Sequence, residues 1–183
     1  MTSHEPDPQT RALAAAVLEL ERHTAQGGWD APVGVYALVR TARALNDNPE
    51  FGEQVGPEAV AAAGADPQHL TSIEQDGLPE APNLEDLLAQ LAWPETVDGA
   101  AIVVERIVVP PEAEVGMPED PEEGVAYLMS HPERQDVRVA AGVLRSGESW
   151  CVLRSRANDD DDAVAGSPDA VPGLVHALAA TLQ

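Results

Sequence analysis

An α+β domain is the fold class this sequence predicts: a mostly antiparallel sheet of about four strands with helices packed on it. Three observations point there. Apolar residues recur at helical spacing at both ends of the chain and near its middle. Two stretches are continuous apolar runs of strand length. Residues 137 to 154 alternate with the two-residue period of a hairpin. With 183 residues, one domain over 1–183 is expected, and a chain of this size buries roughly 70% of the surface its unfolded form exposes.

Residues 1–8 read as a flexible N-terminus. Asp7 followed by Pro8 is an N-cap with proline at the first helical position. Leu13, Val17, Leu20 and Thr24 follow at helical spacing, Glu19, Glu21 and Arg22 are assigned to other faces, and Gly27-Gly28 stops the helix. Val33 to Val39 is apolar on both alternating faces, as a strand covered on both sides would be. Thr41 caps a short helix to Leu45, ended by Asn46-Asp47-Asn48-Pro49. Residues 46–82 read as an irregular surface segment broken by Pro57, Pro67, Pro79 and Pro82, with an Ala-rich turn at 58–63. Asn83 caps the next helix, where Leu84, Leu87, Leu88 and Leu91 form a stripe and Glu85 and Asp86 suit the positive dipole end; Trp93-Pro94 closes it.

Ala100 to Val109 is the strongest strand, and Pro110-Pro111 cannot continue it. Asp120 and Pro121 open a helix with Glu122 and Glu123 in its first turn and Val125, Leu128 and Met129 as its inner side; Pro132 ends it. Val137, Val139, Ala141 and Val143 form the first hairpin strand, Ser146-Gly147 the turn, and Trp150, Val152 and Arg154 the return. A final helix starting near Pro172 carries Leu174, Val175, Leu178 and Leu182.

Charge excludes more than it assigns. No lysine is present, and 32 Asp plus Glu face ten Arg for a formal net charge of −22. Nucleic acid and anionic membrane both require a basic face, so neither is an expected partner. Such a balance arises from adaptation to high internal salt or from a G+C-rich genome, and the abundance of Ala, Val, Pro and Gly favours the second. Aromatic residues make up only 3%, which leaves little for a base-stacking platform. Cys151 is the sole cysteine, so neither an intrachain disulfide nor a multi-cysteine zinc site can form. The segment from Met1 to Arg11 lacks the basic and apolar parts of a secretory signal, and no apolar run approaches the ~20 residues of a membrane span. A cytoplasmic location is the expectation.

Three local features invite chemistry or binding. Asp159, Asp160, Asp161 and Asp162 are consecutive carboxylates able to ligate a divalent cation weakly, although the spacing of an EF-hand loop is absent; a solvated acidic loop explains them as well. Arg106, Arg138 and Arg154 fall in expected strands and could form an anion- or partner-binding groove. The competing reading pairs them with Glu105, Asp136 and Glu148 across strands. Trp29 and Trp93 each adjoin a turn, as interface anchors or as core packing. The histidines at 4, 23, 69, 131 and 176 make no HExxH pattern; neither GxSxG nor a P-loop occurs, and lysine-dependent chemistry is excluded. No cofactor is expected.

Several stretches taken together carry a resemblance. They are Gly28-Trp29-Asp30-Ala31-Pro32 leading into Tyr36 to Thr41, Trp93-Pro94-Glu95, Val103-Val104-Glu105-Arg106 with Pro110 to Glu114, His131-Pro132-Glu133-Arg134, Asp136 to Arg145, and Val171-Pro172-Gly173-Leu174. As a set they resemble a family of small acidic actinobacterial proteins with no assigned function. The resemblance runs along nearly the whole chain and is weakest at residues 46 to 80. It implies a G+C-rich origin and a cytoplasmic location, and it brings no catalytic residues with it.

Two functions fit. The first is a non-catalytic binding or adaptor protein that works by protein–protein contact with a partner or a second copy of itself. The second is a divalent-cation-dependent enzyme whose site uses carboxylates and arginines. A flat apolar patch would favour the first, a concave acidic or arginine-lined pocket the second.

Overall fold

Asp7 and Pro8 start the first helix where the sequence places it. Asp7 Oδ1 accepts from the amides of Gln9 and Thr10 at 3.0 and 3.1 Å, and the hydrogen bond from the Thr10 hydroxyl holds the Asp7 carboxyl below the ordinary aspartate range. The computed structural model describes residues 5–183; residues 1–4, the outer part of the expected flexible stretch, lie outside it. Following α1 (Pro8–Gln26) come β1 (Gly34–Arg40), α2 (Thr41–Asp47), α3 (Phe51–Val55), α4 (Pro57–Ala65), β2 (Leu70–Glu74), α5 (Leu84–Ala89) and β3 (Gly99–Val108). The second half holds α6 (Pro111–Val115), α7 (Pro121–Ser130), β4 (Gln135–Leu144), β5 (Ser149–Ser155), a 3₁₀ turn at Asp161–Ala163, β6 (Ala165–Ser167) and α8 (Pro172–Ala180).

The strands form one sheet in the order β2-β1-β3-β4-β5-β6, antiparallel at every pairing. The α+β class and the antiparallel sheet agree with the sequence, but there are six strands where about four are expected. Both additions are edges. β2 buries only Leu70, and β6 is Ala165-Gly166-Ser167, with no large apolar side chain to set an alternation. Their pairing is supplied by β1 and β5 rather than by a pattern of their own. Residues 46–82, read as irregular, likewise hold α3, α4 and β2; Pro57 opens α4, where a missing N–H leaves nothing unsatisfied.

α1 crosses one face of the sheet over β4 and β5, and α5 and α8 cover the other. On the first face Leu13, Val17 and Leu20 meet Leu38, Val103 and Val152. On the second, Leu174 and Leu178 meet Ile102, Val139 and Val143. Gly142 allows α1 to come this close: a Cβ there would stand 2.7 Å from Val17 Cγ2 and 2.9 Å from Leu13 Cδ1. Cys151 is buried on the second face, and burial pushes its thiol pKa up, so it packs as a small apolar group.

Thr41 departs from its expected capping role. It is the first residue of α2, and its buried hydroxyl bonds His69 Nδ1 at 2.8 Å and the Thr71 hydroxyl at 2.7 Å, tying that helix to β2. Nearby, buried Asp98 receives the Arg43 guanidinium fork at 2.6 and 2.9 Å and the Arg40 amide at 2.6 Å. That fork closes the junction between β1, α2 and β3.

Candidate functional site

The register of β3, β4 and β5 lines up Glu105, Arg138 and Arg154 in one row on the face that α1 covers. Into this row α1 lowers Glu21, which is fully buried. Glu21 Oε1 accepts from Arg154 Nε at 2.7 Å and from Arg138 at 3.3 Å, while Oε2 accepts from Arg154 at 2.9 Å. Arg138 also donates to Glu105 at 3.1 Å and to the Gly28 carbonyl at 2.5 Å. Arg154 completes its set with Asp159 at 3.1 Å and with Asp161.

The turn after α1 lays Trp29 over this assembly. Gly28 and Asp30 both take positive φ, 85° and 66°, a region open to glycine and tolerated by aspartate. The Asp30 amide then donates to Glu105 at 2.8 Å. The Trp29 ring lies 4.5 Å from the Arg138 guanidinium and 5.6 Å from that of Arg156, within cation–π range. Its indole N–H donates to Asp159 at 3.0 Å.

Three of the sequence candidates thus share one place: Trp29, the pair Arg138 and Arg154, and part of the aspartate run. Four carboxylates, Glu21, Glu105, Asp159 and Asp161, surround two guanidiniums, so most of the donors an anion would need are already engaged within the chain, and the exception, Arg138 Nε, is buried without a partner. Hydrogen bonds to Glu21, Asp161 and Asp159 hold the Arg154 pKa above its ordinary value. The indole of Trp29, then Arg154 and Arg138, hold the Asp159 carboxyl below its own.

The remaining candidates stand apart. Arg106 alternates to the opposite face, with Ile102 and Val104, and is half-buried. Asp160 caps the 3₁₀ turn by accepting from the Asp162 amide at 2.9 Å. Among the described residues, no three His, Cys, Asp or Glu side chains converge closely enough to hold a metal ion. Asp136, one of the expected cross-strand partners, pairs with Arg156 at 3.5 Å and with Arg134 at 3.9 Å, whereas Glu148 bonds Ser146. Trp93 donates to the Thr181 hydroxyl at 2.9 Å, and Arg145 gathers the carbonyls of Trp93, Pro94, Val97 and Leu182. Trp93 is therefore a stitch between the loop after α5 and the end of α8.

Glu21 is the member that sequence reasoning places on the wrong side of α1. The signal was in the spacing: residue 21 lies four beyond Val17 and one beyond Leu20, on the stripe that faces the sheet. A carboxylate there marks a buried cation in the opposing strands.

Acid should loosen the Trp29 turn. With the Asp159 carboxyl held below the ordinary aspartate value of 3.8, its contribution is complete above that value and is lost as pH falls through the lower folded-state pKa. In a chain carrying Trp93→Phe and Trp150→Phe, the fluorescence of Trp29 is expected to step below pH 3.8, and Asp159→Asn should remove the step. Identical acid profiles with and without that substitution would show that Asp159 does not hold the turn.

A groove of about 800 Å³ opens between α1, β2 and the α3–α4 pair. Leu20, Tyr36, Phe51 and Leu70 contribute to its apolar lining, and Glu19, His23, Glu58, His69 and Glu74 to its polar lining. Burial, reinforced by the charge of Glu74, pushes the Tyr36 hydroxyl pKa up.

The excursion between β3 and β4 presents a different surface. Of the seven exposed large apolar side chains among the described residues, four lie here, Val115, Met117, Val125 and Met129, and a fifth, Val108, ends β3 just before it. Of the three residues expected on the inner side of α7, Leu128 lies there, but Val125 and Met129 face outward. The end caps as foreseen, with Asp120 accepting from the Glu122 and Glu123 amides at 3.0 and 3.1 Å. Gly124, Tyr127 and Leu128 are nevertheless the more buried side, while Val125 and Met129 are 59% and 52% exposed. Tyr127 turns the helix: its hydroxyl donates to the Ala113 carbonyl at 2.8 Å. Its ring also meets His131 edge-on at 5.8 Å. Periodicity alone cannot distinguish an apolar stripe facing the core from one facing outward.

A protein-family model described as PPA1309-like protein matches residues 13–183. No curated protein and no solved structure matches the chain. Among the described residues, no helix is long and apolar enough to cross a membrane.

Proposed function

The chain belongs to the PPA1309-like family, an uncharacterised one, so its role has to be read from its surface, and we propose that it is a non-catalytic cytoplasmic protein that works by holding a protein partner. The observation that carries this reading is the concentration of exposed apolar side chains on the α6–α7 excursion. Apolar side chains scattered singly over a surface need no explanation, but four on one short segment, with Val108 at its start, mark an interaction surface. The buried arginine cluster supports the same reading from the other side. All its donors but the buried Arg138 Nε are engaged within the chain, which suits an internal brace better than a place for substrate. The divalent-cation enzyme draws no support from the aspartate run, since Asp159 and Asp161 are committed to Arg154. A cytoplasmic setting accords with Cys151 as the only cysteine.

The reading is tested by placing a photo-cross-linking side chain, in separate full-length chains expressed in the native host, at Val125, at Met129, at Glu58 beside the groove and at Asp162. A discrete adduct with another polypeptide, formed from at least one position and competed by untagged protein, is the expected result. Adducts from none of the four would remove the protein-binding reading.

A further inference from the structure

We propose that the outer face of α7, with the Val115–Met117 turn beside it, docks a basic amphipathic helix of a partner protein, an inference that rests on the protein-binding reading above. Val125 and Met129 are four residues apart and so stand on one face of the helix. Met117, 41% exposed, approaches the inner side of α7, its Cγ 4.0 Å from where a Cβ on Gly124 would sit, and Val115 at the end of α6 is 89% exposed. Tyr127, Leu128 and Gly124 take up the packing within the excursion; on the outer face Arg134 Nη1 reaches Met129 Sδ at 3.5 Å, and Val125 and Met129 remain 59% and 52% exposed. The flexible side chain of Met129 on such a face can adapt to the shape of an apposed apolar stripe.

Charge selects the occupant. Between Pro110 and Arg134 the chain carries seven carboxylates, Glu112, Glu114, Glu119, Asp120, Glu122, Glu123 and Glu133, against one arginine. That arginine is turned back on the helix end, donating to the Met129 carbonyl at 2.7 Å. A second copy of this chain would set seven carboxylates against seven, an arrangement that like-charge repulsion disfavours. An anionic bilayer is repelled for the same reason. A helix with apolar residues at i, i+3 and i+4 flanked by lysine or arginine satisfies both halves of the surface, the stripe on Val125 and Met129 and the cations on the acidic rim. The net charge of −22 would also steer such a partner inward during encounter.

The test titrates the full isotope-labelled chain with two synthetic helices of about 20 residues that share one Leu/Ala stripe, one flanked by Lys and Arg and the other by Glu. The basic peptide is expected to shift amide resonances confined to residues 108–134. Its affinity should fall about tenfold between low and moderate salt. The double substitution Val125→Asp with Met129→Asp should weaken it about tenfold or more, without lowering the melting temperature, because both side chains are exposed. Shifts centred on the α1–β2 groove, equal binding of the two peptides, or self-association of the free chain through residues 108–134 would each overturn the proposal. So would a cellular cross-link made only from Glu58 or Asp162, an outcome that leaves the protein-binding reading standing.

Discussion

Glu21→Gln is expected to destabilise the fold by about 3–5 kcal/mol, the range for removing one partner of a buried ion network. The carboxylate is fully buried and accepts three hydrogen bonds from two guanidiniums whose side chains are only 1% and 3% exposed. An amide of the same shape keeps the packing but loses the charge, and its NH₂ group faces donors. Arg154 has Asp159 and Asp161 to fall back on, whereas Arg138 is left with the half-buried Glu105 and one carbonyl. Chemical denaturation reads the loss as a shifted midpoint at unchanged slope. Glu19→Gln, two residues away on the exposed side of α1, should stay within about 0.5 kcal/mol. Replacing Glu21, Arg138 and Arg154 together by apolar residues of similar volume should recover part of the loss, because no buried charge then lacks its counterpart. A Glu21→Gln loss no larger than that of Glu19→Gln would mean that the network does not brace α1.

Gly99→Ala should cost about 3 kcal/mol, at the upper end for inserting one carbon into a packed site. A Cβ at residue 99 would sit 2.4 Å from the Val143 carbonyl oxygen and 2.8 Å from Leu144 Cδ2. The first contact is backbone, so relief requires moving β3 against β4 where the sheet is fully covered. Gly166→Ala is the control. Its new Cβ would meet the Trp150 ring at 3.0 Å on the three-residue edge strand β6, where the side chain can shift, and the expected cost is under about 1 kcal/mol. Equal losses at the two sites would refute the argument that backbone contact decides the magnitude.

The elements legible in the sequence are those that carry their own pattern. The caps at Asp7, Asn83 and Asp120 all form, since a short polar side chain ahead of a helix acts on amides two or three residues away. β1, β3 and the β4–β5 hairpin are long and apolar enough to be read alone. β2 and β6 are not, because an edge strand borrows its hydrogen bonds from a neighbour far along the chain. The candidate sites divide in the same way. Arg138, Arg154, Trp29 and Asp159 were visible as unusual residues, but their convergence depends on the β3–β4–β5 register and on a turn with two positive φ angles. The apolar residues of α7 were visible too, and the outward placement of Val125 and Met129 follows from Tyr127 bonding a carbonyl fourteen residues earlier, a tertiary contact with no local signature.

Glu21 also has a history within each round of synthesis. Its two guanidinium partners lie 117 and 133 residues further along the chain, so at roughly 5–20 residues per second α1 is made on the order of ten seconds before either arginine exists. Throughout that interval the stripe of Leu13, Val17 and Leu20 has no sheet to cover, and a hydrated carboxylate in its midst makes premature burial against another nascent chain costly. The same carboxylate admits α1 to the sheet only once both arginines have arrived. Glu21 therefore acts first as a guard on an unfinished helix and afterwards as its anchor.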